Sequence, residues 1–113
     1  MVSAENEATA RRTKPPAGAS AIVLSGFYEG LEVKLDRPRF VIGRGRKADL
    51  VLAEVTISRA HAAVGFDGDG FFVEDLGSTN GTLVNGSPVD RQHLKNEDEI
   101  RMGKLRIGVT LPE

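Results

Sequence analysis

Three short polar clusters in this chain carry side chains suited to holding an oxyanion. The first is Gly43-Arg44 and the second Ser58-Arg59-Ala60-His61. The third is Ser78-Thr79-Asn80-Gly81-Thr82, with Asn85-Gly86 just beyond it. Arg44 and Arg59 offer guanidinium groups, which grip phosphate through parallel N–H donors. Ser58, Ser78 and Thr79 bring hydroxyls and Asn80 an amide, groups that both donate and accept. Arg46 and Lys47 add charge beside Arg44, so Arg44, Arg46, Lys47 and Arg59 form a candidate basic patch, although charges of this kind are commonly a solvated face. If the strands pack side by side, the clusters converge at one end of the fold, and phosphate is the natural occupant.

The clusters punctuate β-type sequence. Residues 31–35, Leu-Glu-Val-Lys-Leu, alternate apolar and polar, as a half-buried strand does. Residues 21–24, 39–42, 50–52, 61–66 and 71–75 are further strand candidates, with 83–84 and 87–89 either side of Asn85-Gly86. Residues 98–103 and 105–111 close the series with period-two patterns. Asn-Gly favours positive φ at both central turn positions, so Asn80-Gly81 and Asn85-Gly86 are each read as tight reversals. No window keeps a helical period, and short strands separated by turn signals indicate an all-β sandwich. There is no internal repeat.

Residues 1–20 are different. They are rich in Ala, mixed with Glu, Ser, Thr, Arg, Lys and Pro, and nearly free of large apolar side chains. Such a segment buries too little surface to offset its ordering entropy. The expected organisation is a disordered arm over 1–20 and one domain over 21–113. Thr9 and Thr13 lie in the basic part of the arm, where a kinase would reach them.

Composition narrows the function classes. The chain has 113 residues, 40% hydrophobic and 27% charged, with a formal net charge of −1. That balance speaks against general nucleic-acid or membrane binding, for which a basic surface is usual. There is no cysteine and there are only two histidines, so thiol chemistry and the usual zinc patterns have no ligands. No cofactor or metal is expected. The first 25 residues contain no apolar signal-peptide core, and no apolar run approaches the ~20 residues needed to span a bilayer. A cytoplasmic location is expected.

Two catalytic readings meet local objections. Gly43-Arg44-Gly45-Arg46-Lys47-Ala48 fits Gly-x-Gly-x-x-Ala, but a dinucleotide site needs a helix next, and Asp49-Leu50-Val51-Leu52 is strand-like. Ser58, His61 and Asp75 could be named as a triad, yet the serine lacks the nucleophile elbow. A better role for His61 is to tie neighbouring loops together through its two ring nitrogens.

Taken in order and at this spacing, Gly43-Arg44, Ser58-Arg59-Ala60-His61, Ser78-Thr79-Asn80-Gly81-Thr82 and Asn85-Gly86 resemble the forkhead-associated (FHA) domain family, over about residues 21–111. The resemblance implies an eleven-stranded β-sandwich of two twisted, mostly antiparallel sheets. It implies a non-enzymatic module that binds phosphothreonine peptides in partner proteins, downstream of a Ser/Thr protein kinase, without nucleic-acid binding or membrane insertion. Carried over, it puts Arg44 and Ser58 on the phosphate and Thr79 in the same pocket, with Arg59 adding a contact. Asn80 would bind the peptide backbone. Thr56 would read the peptide beyond the phosphate. Gly43, His61, Gly81 and Asn85 would support the loops. Phosphorylated Thr9 or Thr13 could occupy the domain's own pocket. The rival reading is a scaffold that keeps the sandwich and binds a partner through a sheet face without phosphate. One departure stands out: in Leu94-Lys95-Asn96-Glu97-Asp98-Glu99-Ile100, Glu97 takes a place where the family often has Gly. If that turn needs positive φ, either Glu97 is strained or Asn96 takes the left-handed role.

Overall fold

The computed structural model describes residues 14–112. Eleven strands form two sheets. In chain order they are β1 (Ser20–Val23), β2 (Glu32–Lys34), β3 (Arg39–Gly43), β4 (Leu50–Val51), β5 (Ala62–Phe66) and β6 (Phe71–Asp75). Then come β7 (Thr82–Val84), β8 (Ser87–Val89), β9 (Arg91–His93), β10 (Glu99–Met102) and β11 (Leu105–Thr110). One sheet runs β2-β1-β11-β10-β7-β8 and the other β4-β3-β5-β6-β9. Every pairing is antiparallel except β3 with β4. The fold is therefore the two-sheet sandwich expected from the sequence.

Alternation drives the packing. In β10 and β11, Ile100, Met102, Leu105, Ile107 and Val109 are buried while Arg101 and Arg106 face outward. Across the sandwich, Phe40, Ile42, Ala62, Val64, Phe71 and Val73 supply the opposing face of one continuous core. Each fully buried large aliphatic side chain contributes roughly 1.5–3 kcal/mol by area. The packed unit begins slightly before residue 21: Ala19 is buried, its carbonyl accepts from Leu35 N–H, and Ser20 opens β1. Among the described residues, no helix is long and apolar enough to cross a membrane.

Two turns depart from local expectation. At Asn85-Gly86 both residues have positive φ (50° and 87°), as a tight hairpin requires. At Asn80-Gly81 only Gly81 does (81°), and the connection from β6 to β7 is a longer loop rather than a two-residue reversal. The strand β9 is a second difference. Arg91, Gln92 and His93 are all exposed and show no apolar alternation, yet they pair with Phe72–Glu74 along the free edge of β6. At the turn before β10, Glu97 itself adopts the left-handed conformation (φ 72°). Asn96 instead uses its side-chain oxygen to accept from Leu111 N–H.

Candidate anion-binding site

Strands β3, β5 and β6 are neighbours in one sheet, and the connections β3–β4, β4–β5 and β6–β7 all leave from the same end. The β1–β2 loop and the β10–β11 turn of the other sheet meet them there. Tyr28 Oη accepts from Ala53 N–H, and Lys104 N–H donates to Thr56 Oγ1.

The first two loops lie in direct backbone contact. Arg44 N–H donates to Ser58 O and Gly45 N–H to Arg59 O, each at 3.0 Å. This approach requires glycine at 43: a Cβ there would stand 2.0 Å from Arg59 O. The Arg44 side chain is exposed, and its Nε donates to Ile57 O at 2.7 Å. That bond aims the guanidinium, and neither terminal nitrogen has a hydrogen-bond partner among the described residues.

Ser58 joins the second loop to the third. Its Oγ accepts from Thr79 N–H at 3.0 Å, which leaves the hydroxyl proton available to a further acceptor. Its backbone N–H donates to His61 Nδ1 at 3.1 Å. The His61 ring is wholly buried, and Nε2 lies 2.8 Å from Gly81 O. The tautomer that fits both contacts carries its proton on Nε2 and donates it to Gly81. His61 thus ties the second loop to the third through both ring nitrogens. Asn80 Nδ2 donates to Thr56 O at 2.8 Å, which orients the amide and leaves Oδ1 as an outward acceptor.

The third loop is built around Asp75, a brace that residue type and order alone offer only as a triad member. Its Oδ1 accepts from Ser78 Oγ (2.5 Å) and Thr82 Oγ1 (2.7 Å), and its Oδ2 from the N–H groups of Gly77 and Ser78. Ser78 Oγ in turn accepts from Gly81 N–H. Burial works to raise the Asp75 pKa, but the donors of Ser78, Thr82 and Gly77 outweigh it and hold the carboxyl below its ordinary value. Ser78 is therefore a loop brace rather than a free donor. The usable signal was the spacing Asp-x-x-Ser, in which a carboxylate bonds the backbone two and three residues on.

The remaining residues divide as follows. Arg59 is exposed beside Ser58, with its backbone against Gly43 and Gly45. Thr56 sits between the two sheets, and its hydroxyl is already engaged: it donates to Glu54 Oε2 at 2.6 Å and accepts from Lys104 N–H at 2.8 Å. The Thr56 hydroxyl and N–H hold the Glu54 carboxyl below its ordinary value. Asn85 lies on the β7–β8 turn with Nδ2 on Asp98 and Oδ1 accepting from Glu99 N–H, joining that turn to the start of β10 at the opposite end. Thr9 and Thr13 lie outside the described residues.

Neither catalytic arrangement is present. After Gly45 the chain turns and enters β4, with no helix to receive a pyrophosphate. His61 meets the backbone of Ser58 and Gly81, while Asp75 binds Ser78 and Thr82, so Ser58 Oγ, His61 and Asp75 do not form a relay.

Comparison with known proteins agrees with this geometry. The family model described as "FHA domain" matches residues 40–103. The "Glycogen accumulation regulator GarA" of Mycolicibacterium smegmatis is 42% identical over 93 residues, covering 82% of this chain and 59% of that protein. The "Oxoglutarate dehydrogenase inhibitor" of Corynebacterium diphtheriae is 42% identical over 94 residues, covering 82% of this chain and 66% of that protein. The chain thus spans about three-fifths to two-thirds of the length of these curated relatives. Among solved structures, the FhaA FHA domain complexed with the intracellular domain of Rv3910 superposes with a TM-score of 0.74 at 35% identity, covering 81% of this chain and 99% of that one. A chain from a study of phosphothreonine-dependent FHA domain interactions gives 0.77 at 34%, covering 84% and 97%.

Proposed function

The chain belongs to the FHA domain family, and from that premise we propose that it binds phosphothreonine peptides of partner proteins at the Arg44–Ser58–Thr79–Asn80 loop end. The observation that carries the reading is that the Arg44, Ser58 and Asn80 side chains are each oriented by the protein while keeping groups free for a ligand, and that Thr79 is tied to Ser58 through its backbone N–H. Arg44 is aimed by one nitrogen and keeps two. Ser58 accepts from Thr79 N–H and keeps its proton. Asn80 donates inward and keeps its carbonyl for a peptide N–H. Arg59 stands beside Ser58 as a further cation.

A phosphothreonine brings about −1.5 to −2 charges and three acceptor oxygens. Charge-assisted hydrogen bonds contribute roughly 1.5–3 kcal/mol each. Three or four of them, less the cost of ordering a peptide, correspond to affinity of about micromolar, or about −8 kcal/mol. Such affinity suits a reversible reader of Ser/Thr kinase output in the cytoplasm. The likeness to a glycogen accumulation regulator and to an oxoglutarate dehydrogenase inhibitor supports a regulatory binding module rather than an enzyme. With its hydroxyl engaged, Thr56 would meet the peptide through its methyl group or carbonyl rather than by hydroxyl donation.

Phosphorylated Thr9 or Thr13 is a further candidate ligand. The chain enters the domain at Ser20, the end of β1 away from the site, because the opposite end of β1 leads to the loop that carries Tyr28. Residues from Lys14 lie beside residues 32–36 at that end, so free tether counts only from Lys14: at up to ~3.5 Å per residue Thr13 reaches ~4 Å beyond it and Thr9 ~18 Å, and Thr9 is the better placed of the two. The sheet-face scaffold draws little support: of the exposed large apolar residues among the described ones, Phe27, Leu31 and Val55 lie on loops and only Val51 on a strand.

Calorimetry with a library-selected phosphothreonine peptide tests the reading. Arg44→Ala is expected to weaken binding at least ~100-fold, or ~2.7 kcal/mol, with the fold retained, and lysine there restores only part of it. Phosphoserine in the same peptide is expected to bind about fourfold more weakly, since one buried methyl contributes about 0.8 kcal/mol. Unchanged affinity in Arg44→Ala would end the proposal.

A further inference from the structure

Beside the phosphate loops, the outer face of the β4-β3-β5-β6-β9 sheet carries a groove of about 600 Å³. Its rim is cationic: Arg39 from β3, Arg46 and Lys47 from the β3–β4 loop, and Arg59 from the β4–β5 loop. Val41 and Leu76 are among its apolar lining. No carboxylate lines it, and none of the four cations makes an ion pair among the described residues. Asp49, which follows the loop, spends its two oxygens on Val41 N–H and Arg37. Four cations gathered without counter-ions repel one another, a cost offset when an anion arrives.

The groove is continuous with the candidate site. Gly45 and Arg59 line it, and the neighbours of both, Arg44 and Ser58, are the proposed phosphate ligands. It also lies on a definite side of that site. Asn80 bonds Thr56, which besides Glu54 in its own loop meets Lys104 and Gly103 of the β10–β11 turn of the opposite sheet. The groove opens over the sheet that contains β3. A peptide held by its phosphate and by Asn80 would therefore send one flank toward the β10–β11 turn and the other into the groove.

The geometry points to a second subsite in this groove, which takes an acidic segment of the same partner chain on the side of the phosphothreonine remote from Asn80. This assignment rests on the phosphothreonine reading and adds the partner's charge pattern to it. The apolar lining lets Asp and Glu stems pack while the rim meets their carboxylates. Electrostatic complementarity of this kind acts on both association rate and partner choice, and salt weakens it.

The test uses three phosphothreonine peptides with one common core: a neutral form, one with four acidic residues on the N-terminal flank, and one with them on the C-terminal flank. Affinities are measured by fluorescence anisotropy at low and high salt. One acidic flank is expected to bind roughly tenfold more tightly than the neutral peptide at low salt, and the gain is expected to vanish at high salt. The double variant Arg39→Gln/Lys47→Gln, checked for folding by circular dichroism, is expected to lose that gain and keep the neutral peptide's affinity. Arg46→Gln serves as an independent second variant with the same expectation at smaller size. Equal affinity of the three peptides, equal gains from both flanks, or a preference that survives the substitutions would each overturn the subsite. Binding of a single-stranded oligonucleotide that depends on Arg39 and Lys47, with no flank effect, would reassign the groove and overturn it too. Failure of all three peptides to bind wild-type protein would sink the phosphothreonine reading and the subsite together, whereas tight neutral binding without a flank effect sinks the subsite alone.

Discussion

Asp75 at the candidate-site end and Asp67 at the opposite end each accept four hydrogen bonds, and the partners differ in kind. Asp75 takes hydroxyls and backbone N–H groups, from Ser78, Thr82 and Gly77. Asp67 takes two backbone N–H groups, from Asp69 and Gly70, and two ionisable side chains, Arg91 at 2.9 Å and His93 at 2.8 Å. Arg91 also stacks over the Phe72 ring, 4.1 Å from its centroid. At the far end, then, the Arg91 guanidinium is consumed by the protein's own carboxylate. At the site end, neutral donors hold the loop, and Arg44, Arg46, Lys47 and Arg59 make no ion pair among the described residues. Under the proposed function, bracing by neutral donors leaves the cations of the loop end unspent for an anion.

The largest test of this contrast is Asp75→Ala. It strands four donors, one of them the buried Thr82 hydroxyl. A loss of roughly 2–4 kcal/mol is expected in denaturant titration. Phosphopeptide affinity is expected to fall more than tenfold as well, because Thr79 and Asn80 ride on the same loop. A variant of wild-type affinity would show that Asp75 does not position the site.

Asp67→Asn probes the other end and is expected to cost about 1 kcal/mol or less, since its partners are largely exposed. Phosphopeptide affinity should be unchanged; a loss there would mean that the two ends are coupled. The variant should also change the acid limb. The Arg91 guanidinium, aided by the Asp69, His93 and Gly70 donors, holds the Asp67 carboxyl far below its ordinary value despite opposing burial. A carboxyl depressed in the folded state stabilises it above the unfolded pKa of about 3.9, and that stability is lost as pH falls below this value. Wild-type protein should therefore lose stability below about pH 4, and Asp67→Asn should lose less over the same range.

The smallest effect is expected at Glu97, which is exposed and left-handed at φ 72°. Left-handed backbone costs a non-glycine residue roughly 1–2 kcal/mol, part of which glycine gives back through its freedom in the unfolded chain. Glu97→Gly is expected to raise stability by about 0.5–1 kcal/mol, read as a small rise in Tm, with peptide affinity untouched. A fall in Tm would mean that the Glu97 side chain contributes more than its backbone costs.

Much of this was legible in the residues alone. Period-two alternation placed strands at β2, β10 and β11, and Asn85-Gly86 announced its hairpin, because both signals depend on neighbours only a few residues away. Gly43, Arg44, Ser58, Thr79 and Asn80 were named from type and spacing, and the loops that carry them do meet at one end. What lay beyond reach depends on partners distant in sequence. The strand β9 has no pattern of its own and exists because β6 has an edge to pair with. Asn80 keeps an ordinary φ despite its Asn-Gly context, since its side chain is drawn to Thr56, 24 residues away. Thr56, expected to face a ligand, turns its hydroxyl to Glu54 and Lys104 instead. Glu97 accepts a strained φ because its N–H must meet Val109 O in the neighbouring strand. Residue types set which groups could bind an anion; sandwich packing decided which of them are spent inside the protein and which are left facing out, because a donor's availability depends on every acceptor within hydrogen-bond reach.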